Sequence, residues 1–251
     1  TKSCEEQKKD FKKVKINHKK RNLIQCYYFL SGLLKDNNFL EKSLSVSTKA
    51  IDIFNEFKNN NYEIDELAGS KEFAYQLVHR ARVYADLFRY EESIKDYEQY
   101  IKIISIKNIN ELASDDYLNA LSEVEFIYST RGDTENEYKY LKLRYEIIQQ
   151  YNKSNLNLQA KINRQIGFHY QSTNQYDKAI THFDLTLGYV KRSLENNSSY
   201  SNKKKLFVDK EIALLGKLDA EQSIKQDLNQ YKKVYSIMLS MNDELELLDK
   251  S

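Results

Sequence analysis

The sequence predicts an all-α fold in which pairs of helices repeat along the chain. Its 251 residues include no Pro and only six Gly, a composition that suits long helices joined by Asn, Ser and Asp loops better than a turn-rich all-β protein. A pattern of aromatic and small residues also recurs, with Tyr84, Tyr128 and Tyr170 separated by 44 and 42 residues. The length and the 41% hydrophobic content are sufficient for one continuous repeat domain.

The most complete copy of the pattern lies at residues 166–183. It has the form Leu-Gly-x-x-Tyr, then an aromatic residue after a turn, then Ala-x-x-x-Phe, and the matching residues are Ile166, Gly167, Tyr170, Tyr176, Ala179 and Phe183. This run resembles the core of a tetratricopeptide repeat. Small residues at 167 and 179 let two antiparallel helices approach closely, and the aromatic residues fill the seam between them. The resemblance implies an antiparallel helix-pair solenoid with a right-handed superhelix.

Further copies define the domain organisation. A strong second copy contains Ala81, Tyr84, Tyr90, Ser93 and Tyr97. A weaker copy from Val124 to Leu141 has Glu125 and Glu137 where small residues are expected, and a degenerate one within residues 28–50 fits with about one inserted residue. We therefore expect a basic arm at 1–21, repeats within 22–202 and C-terminal capping helices at 203–251. The expected repeats are about 22–58, 71–107, 115–151 and 155–195.

Three serines precede apolar-periodic runs and are predicted helix N-caps: Ser70, Ser114 and Ser154.

The charge distribution singles out the N-terminal arm. The whole chain has a net charge of +2, whereas residues 1–21 carry nine Lys or Arg and three Asp or Glu. A solvated terminus, a contact with nucleic acid or an acidic partner, and a tether are three interpretations of this arm. The tether would use Cys4, because Ser3-Cys4 and the polar run after it resemble the start of a bacterial lipoprotein. The start at Thr rather than Met leads us to expect residues upstream.

Composition also indicates where the protein resides and what state its cysteines adopt. No run approaches the roughly 18 apolar residues of a membrane helix, so we expect a cytoplasmic protein, with a lipoprotein anchored at Cys4 as the alternative. The other cysteine, Cys26, lies in an apolar run and is predicted to be a buried free thiol.

No catalytic motif is present in the sequence. The four histidines (His18, His79, His169 and His182) form no His-Glu-x-x-His, and there is no Gly-rich phosphate loop or Gly-x-Ser-x-Gly. His169 and His182, on facing helices, are the nearest candidates, but metal or acid-base chemistry would need a third partner. We expect no enzyme, no cofactor and no metal site.

The resemblance implies a binding surface instead. In the family, the first helix of each repeat lines a concave face that holds a peptide. The corresponding residues here are Tyr75, Val78, Arg82, Asn119, Ser122, Phe126, Lys161, Arg164, Phe168 and Gln171. Arg and Lys could hold carboxylates, and Phe126 and Phe168 would give rigid apolar area.

One binding subfamily is disfavoured at these positions. Repeats that clamp the C-terminal carboxylate of chaperones use Lys and, four residues later, Asn on the first helix. The pairs here are Val78/Arg82, Ser122/Phe126 and Arg164/Phe168, and none matches.

The leading hypothesis is therefore a non-catalytic scaffold or adaptor that binds a protein or peptide. The alternative is the sensor part of a bacterial peptide-responsive regulator, and an enzyme with His169 or His182 in the groove is a third hypothesis. Self-association is also possible through a tyrosine-rich face, which could equally be a packed seam, formed by Tyr97, Tyr100, Tyr138, Tyr140 and Tyr145. The overall charge gives no reason to expect nucleic acid, and membrane attachment would require Cys4.

Overall fold

The computed structural model describes residues 22–59, 66–107, 114–196 and 200–225, with the single positions 112 and 236. These ranges contain nine long helices and no strand. The helices are α1 (22–36), α2 (Leu40–Asn59), α3 (Glu66–Asp86), α4 (Tyr90–Lys107), α5 (Asp115–Thr130), α6 (Thr134–Tyr151), α7 (Leu156–Ser172), α8 (Tyr176–Asn196) and α9 (Tyr200–Lys225). The chain forms two compact units, Thr1–Ile127 and Tyr128–Ser251. The predicted all-α class with adjacent helix pairs is confirmed.

Four short turns share one backbone conformation. They occupy residues 37–39, 87–89, 131–133 and 173–175, and the middle position has a positive φ in each, at Asn38, Phe88, Gly132 and Asn174. In each turn the residue after that position donates its N–H to a carbonyl five residues earlier, as Gln175 does to Tyr170 at 2.8 Å. Gly and Asn adopt this left-handed conformation readily. The repeated turn sets the register of the repeats.

That register places small residues opposite each other in three helix pairs. Gly167 and Ala179 occupy these positions in α7 and α8, twelve residues apart. Ala81 and Ser93 are the equivalents in α3 and α4, where the Ser93 hydroxyl donates to the Ala81 carbonyl at 2.8 Å. In α1 and α2 the equivalents are Ser31 and Ser43.

The first repeat contains no inserted residue, contrary to the sequence alignment. Ser31 and Ser43 lie twelve residues apart, and each hydroxyl donates to the other's carbonyl, at 3.1 and 2.8 Å. Both serines are fully buried. The predicted one-residue insertion was wrong because two hydrogen-bonded serines fill the space that Gly167 and Ala179 fill in the best-matched repeat.

Of the three predicted caps, one is confirmed. Ser114 accepts a hydrogen bond from the Tyr117 amide at 3.3 Å and caps α5. Ser154 is wrong by one residue, because Asn155 caps α7 by accepting from Leu158 at 3.1 Å. Ser70 lies inside α3, which begins at Glu66.

Each unit has its own packed core. In the first, Phe54 of α2 stacks on Phe73 of α3 with ring centroids 4.2 Å apart. In the second, α9 packs on α8, and Ala213 and Ala220 belong to the same core cluster as Phe183, which is completely buried. Gly167 and Gly216 border the same Phe183 ring, because a Cβ built on either would lie within 3.0 Å of it.

Burial corrects one surface interpretation and bears on another. Cys26 is exposed, so the prediction of a buried thiol was wrong. It lies on a face of α1 that also exposes Leu23, Leu30 and Leu33, and apolar periodicity alone cannot distinguish such a face from a covered one. Tyr97, Tyr100 and Tyr140 are buried within their units and form parts of packed seams, whereas Tyr138 and Tyr145 are partly buried.

The N-terminal arm at 1–21, including Cys4 and His18, lies outside the described residues, as does most of the segment beyond 225. None of the described helices has both the length and the apolar character needed to cross a membrane.

Candidate functional site

The predicted binding residues of α3 have different environments. Val78 is only 6% exposed and belongs to the core rather than to the surface. Arg82 is partly buried and lies near the Tyr97 phenol. Burial raises the pKa of Tyr97, and the positive charge of Arg82 opposes that shift. Tyr75 is partly buried and borders a cleft between α1 and α3.

This cleft has a volume of about 390 Å³. Among the described residues, its lining consists of Ile24, Gln25, Tyr28, Phe29, Tyr75 and Gln76. Gln76 is 2% exposed, and its Nε2 donates to the Ile24 carbonyl at 3.4 Å. Of these residues, only Tyr75 was predicted from the sequence to bind a ligand. The missed signal is in α1, where residues 22–34 include no charged residue.

The α5 residues lie at the surface of the first unit. Asn119 is exposed, Ser122 is partly buried, and the Phe126 side chain is 65% exposed. A large aromatic side chain with this exposure contributes little to the core of its own unit. More than half of its side-chain surface faces solvent.

In the second unit, α9 engages two of the four predicted residues. Arg164 forms an ion pair with Asp209, and Gln171 donates a hydrogen bond to Asp219. Both carboxylates are on α9, which therefore competes with any ligand for these two polar groups. Lys161 remains exposed.

Phe168 is the fourth of these residues. Its ring is 40% exposed and meets Phe183 edge to face, with centroids 5.1 Å apart and an interplanar angle of 73°. The contact fixes the orientation of the Phe168 ring while part of its surface faces solvent. Phe168 follows Gly167 directly, as Phe126 follows Glu125, so the two phenylalanines hold the same position in two repeats.

The two histidines considered for catalysis both lie in packing contacts of the second unit. His169 is 6% exposed and stacks on Tyr138, with centroids 4.6 Å apart. Its Nδ1 lies 3.8 Å from a Glu137 carboxylate oxygen. His182 shares a 2.9 Å hydrogen bond with Asn163, and burial lowers the pKa of His182. Both imidazole rings also border the Tyr170 ring, with centroid distances of 5.8 Å for His169 and 5.5 Å for His182. These contacts orient the rings in the α6–α7–α8 packing.

A third histidine, His79, has a contact that the sequence did not predict. Its Nε2 lies 2.6 Å from the Ser31 hydroxyl, which joins α3 to α1. Within the described ranges, no group of three or more His, Cys, Asp or Glu side chains could hold a metal ion.

Comparisons with known proteins agree with the repeat geometry. No protein-family model matches the sequence, and no curated protein is significantly similar to it. Among solved structures, the fold is similar to that of BtubC (BKLC) from P. vanneervenii, with a TM-score of 0.59 and 16% identity over 86% of this chain and 81% of that one. It is also similar to a Podosopora anserina protein described as a kinesin light chain with nearly identical TPR-like repeats, with a TM-score of 0.61 and 13% identity over 91% of this chain and 98% of that one. At these identities the similarity establishes the fold alone, and the chain has the fold of tetratricopeptide-like repeat proteins.

Proposed function

We propose that the chain is a non-catalytic scaffold or adaptor that binds a protein or peptide segment through the first helices of its repeats. Proteins with this fold commonly mediate protein interactions. The observation that carries the proposal is the exposure of Phe126 and Phe168, 65% and 40%, at the same position of two repeats. Aromatic residues are enriched among the side chains that dominate binding energy.

The polar residues support the same interpretation. Lys161 and Asn119 are exposed on the same set of first helices as the two phenylalanines. An exposed Lys can attract an acidic group, and Asn can pair with a peptide backbone. Arg164 and Gln171 would instead hold α9 in place, because both already bond to aspartates of that helix.

The test is affinity capture from an extract of the native host, with bound proteins identified by mass spectrometry. The variant is Phe126→Ala/Phe168→Ala, and the control is Phe88→Ala. Phe88 is 78% exposed but lies in the turn between α3 and α4, off the first helices. Circular dichroism checks that all three proteins have the same helicity.

We expect the wild-type protein and the Phe88→Ala control to retain the same partner. The double variant should lose that partner, with affinity lower by about 30-fold or more, as for truncation of hot-spot aromatic residues. Equal recovery by the double variant and the control would contradict binding through these two positions. A further Lys161→Glu variant reports whether the partner is acidic, because reversing the charge would then weaken binding most at low salt.

A further inference from the structure

Two helices of the second unit, α7 and α9, run in the same direction. Arg164 and Gln171 of α7 bond to Asp209 and Asp219 of α9, so later positions of one helix meet later positions of the other. The N-termini of both helices therefore lie at the same end of the unit. Neither helix has an acidic residue in its first turn, although the helix dipole favours Asp and Glu there. This end of the helix pair thus lacks the negative charge that usually accompanies helix N-termini.

Two exposed lysines lie one turn from the ion pair between Arg164 and Asp209, toward this end. Lys161 precedes Arg164 by three residues, and Lys205 precedes Asp209 by four. Residues three or four apart share a face of a helix, so the ion pair places both lysines on the face that α7 and α9 present together. Both side chains are exposed. Because the axes of packed helices lie about 8–10 Å apart, the two long side chains can reach the same ligand.

The positive charges of Lys161 and Lys205 are not neutralised by the part of the chain that the structure describes. Neither ammonium group pairs with a described carboxylate. The surrounding sequence supplies none nearby, because no Asp or Glu occurs in residues 147–176 or 196–208. Like charges on adjacent helices repel each other, and a negative group between them would remove that repulsion. Charge complementarity therefore selects a ligand with negative groups.

The charges at the other end of the same helices favour a short acidic segment over a long polyanion. Asp219 and Glu221 lie near the end of α9, and Asp177 lies in the first turn of α8, which follows α7. A nucleic acid that continued along this face would meet these carboxylates. In an extended peptide, by contrast, alternate side chains project on the same side about 6.6 Å apart, so two carboxylates can be confined to the basic end.

We propose that Lys161 and Lys205 bind two carboxylates, two residues apart, in an extended acidic segment of a protein partner. This site rests on the proposed function and deepens it, since it names the chemistry of the segment that the first helices would hold. It also gives a binding role to α9, which was predicted from the sequence only as part of a cap.

A peptide that contains Trp gives a direct assay, because the chain contains no Trp. The probe is acetyl-Trp-Ala-Asp-Ala-Asp-Ala-amide, whose Trp fluorescence anisotropy rises when it binds to the full chain. The second probe has Asn in place of both Asp residues, which keeps the shape and removes the charge. At low salt we expect the Asp probe to bind more tightly by about tenfold or more, and high salt should reduce this difference. Equal affinity of the two probes overturns the proposal.

Two double variants with the same change in charge locate the site. Lys161→Gln/Lys205→Gln removes the proposed contacts, whereas Lys153→Gln/Lys191→Gln removes two exposed lysines from the turn before α7 and from α8. We expect the first variant to weaken binding of the Asp probe by about tenfold. The control should weaken it by less than about twofold, because the charges it removes are screened. Equal weakening by both variants would indicate non-specific attraction and overturns the proposal.

Two other results would assign the lysines to something else. If a single-stranded oligothymidylate displaces the Asp probe and loses more affinity than that probe does in Lys161→Gln/Lys205→Gln, then the ligand is a nucleic acid and the proposal is overturned. If the Asp probe does not bind and the same variant lowers the urea midpoint, then carboxylates of the chain itself hold the lysines, and the proposal is also overturned.

The capture experiment separates this site from the general proposal. If the Asp probe fails to bind while Phe126→Ala/Phe168→Ala still loses its captured partner, then the acidic-segment site is refuted and the proposed function stands. If the Asp probe binds through Lys161 and Lys205 but the phenylalanine variant keeps its partner, then the acidic-segment site stands and the error lies in the surface assigned to Phe126 and Phe168.

Discussion

Replacing Gly167 with Ala tests whether close helix approach holds the second unit together. A Cβ at this position would lie 2.7 Å from Phe183 Cε1 and 2.9 Å from Cδ1. Real Cβ atoms do not approach so closely, so the ring or the helix must move. The Phe183 ring is completely buried, and a Cβ on Gly216 would lie 2.5 Å from its Cζ. Close contacts from two helices restrict how far the ring can shift.

The magnitude follows from two opposing effects. Ala is more favourable than Gly inside a helix by roughly 1 kcal/mol, whereas overpacking a well-packed core typically costs about 1–3 kcal/mol. Since the ring is confined, we expect the cost to lie near the upper end of that range. Gly167→Ala should then lower the free energy of unfolding by about 2 kcal/mol.

Gly188→Ala is the matched control. Gly188 is exposed on α8, the helix that carries Phe183, and a Cβ there would meet nothing within 4 Å. Its substitution should raise the free energy of unfolding by up to about 1 kcal/mol. Urea unfolding followed by circular dichroism measures both variants, and an unchanged m-value checks that the transition is the same. Equal stability of Gly167→Ala and Gly188→Ala would refute the close-approach argument.

A double variant identifies Phe183 as the obstructing group. Phe183→Leu removes the ring atoms that a methyl group at position 167 would meet, at the expense of some core volume. We expect the combined Gly167→Ala/Phe183→Leu variant to be more stable than the sum of the single effects predicts, by about 1 kcal/mol or more. Additive effects would show that another group limits the space.

Three further predictions concern polar contacts. Asp96→Ala should destabilise the first unit by about 3 kcal/mol, because Arg80 then loses a partner that accepts two hydrogen bonds, at 2.7 and 2.9 Å. In thermal unfolding, Arg80→Leu/Asp96→Leu should lower the melting temperature less than Asp96→Ala does. The hydrogen bond with Tyr138 raises the pKa of Tyr170 to about 12. The contribution of the Tyr170 phenol to stability is therefore complete below pH of about 10 and is lost as the pH rises through the folded pKa. An NMR titration of labelled tyrosine should show a lower Tyr170 pKa in Tyr138→Phe than in the wild-type protein. Burial lowers the pKa of His79. The contribution of the neutral imidazole to stability is therefore complete above pH of about 6.5 and is lost as the pH falls through the folded pKa. In urea unfolding at decreasing pH, the midpoint of His79→Gln should fall less than that of the wild-type protein.

The sequence predicted the local parts of the fold well, because those parts depend on short spacings. Gly167, Ala179 and Phe183 lie in one helix pair, and their roles as a close approach and a buried ring are those expected. The twelve-residue spacing of small residues would also have placed Ser31 and Ser43 correctly, had hydroxyl groups been accepted there. Each of these features is encoded within one pair of helices.

Contacts between more distant segments could not be predicted in the same way. Arg164 and Gln171 bond to Asp209 and Asp219, which lie 45 and 48 residues farther along the chain. Helical periodicity shows which residues share a face, but not which neighbour covers it. For the same reason Gly216, against Phe183, carried no signal, and the exposed face of Cys26 was mistaken for a covered one.

Three of the helix pairs retain small residues at their contact without retaining the same residue types, whereas the α5–α6 pair has Glu125 and Glu137 there. Glycine with alanine, alanine with serine, and serine with serine fill the contact between paired helices, and each serine hydroxyl donates to a carbonyl of the facing helix. A buried serine thus adds no unpaired donor, so such exchanges leave the fold intact. The next residue along the first helix of each repeat does not have to fill this contact. These next residues are Gly32, Arg82, Phe126 and Phe168. The backbone thus presents Gly, Arg or Phe at the same place in different repeats, so selectivity in the proposed binding would come from these side chains rather than from the shared scaffold.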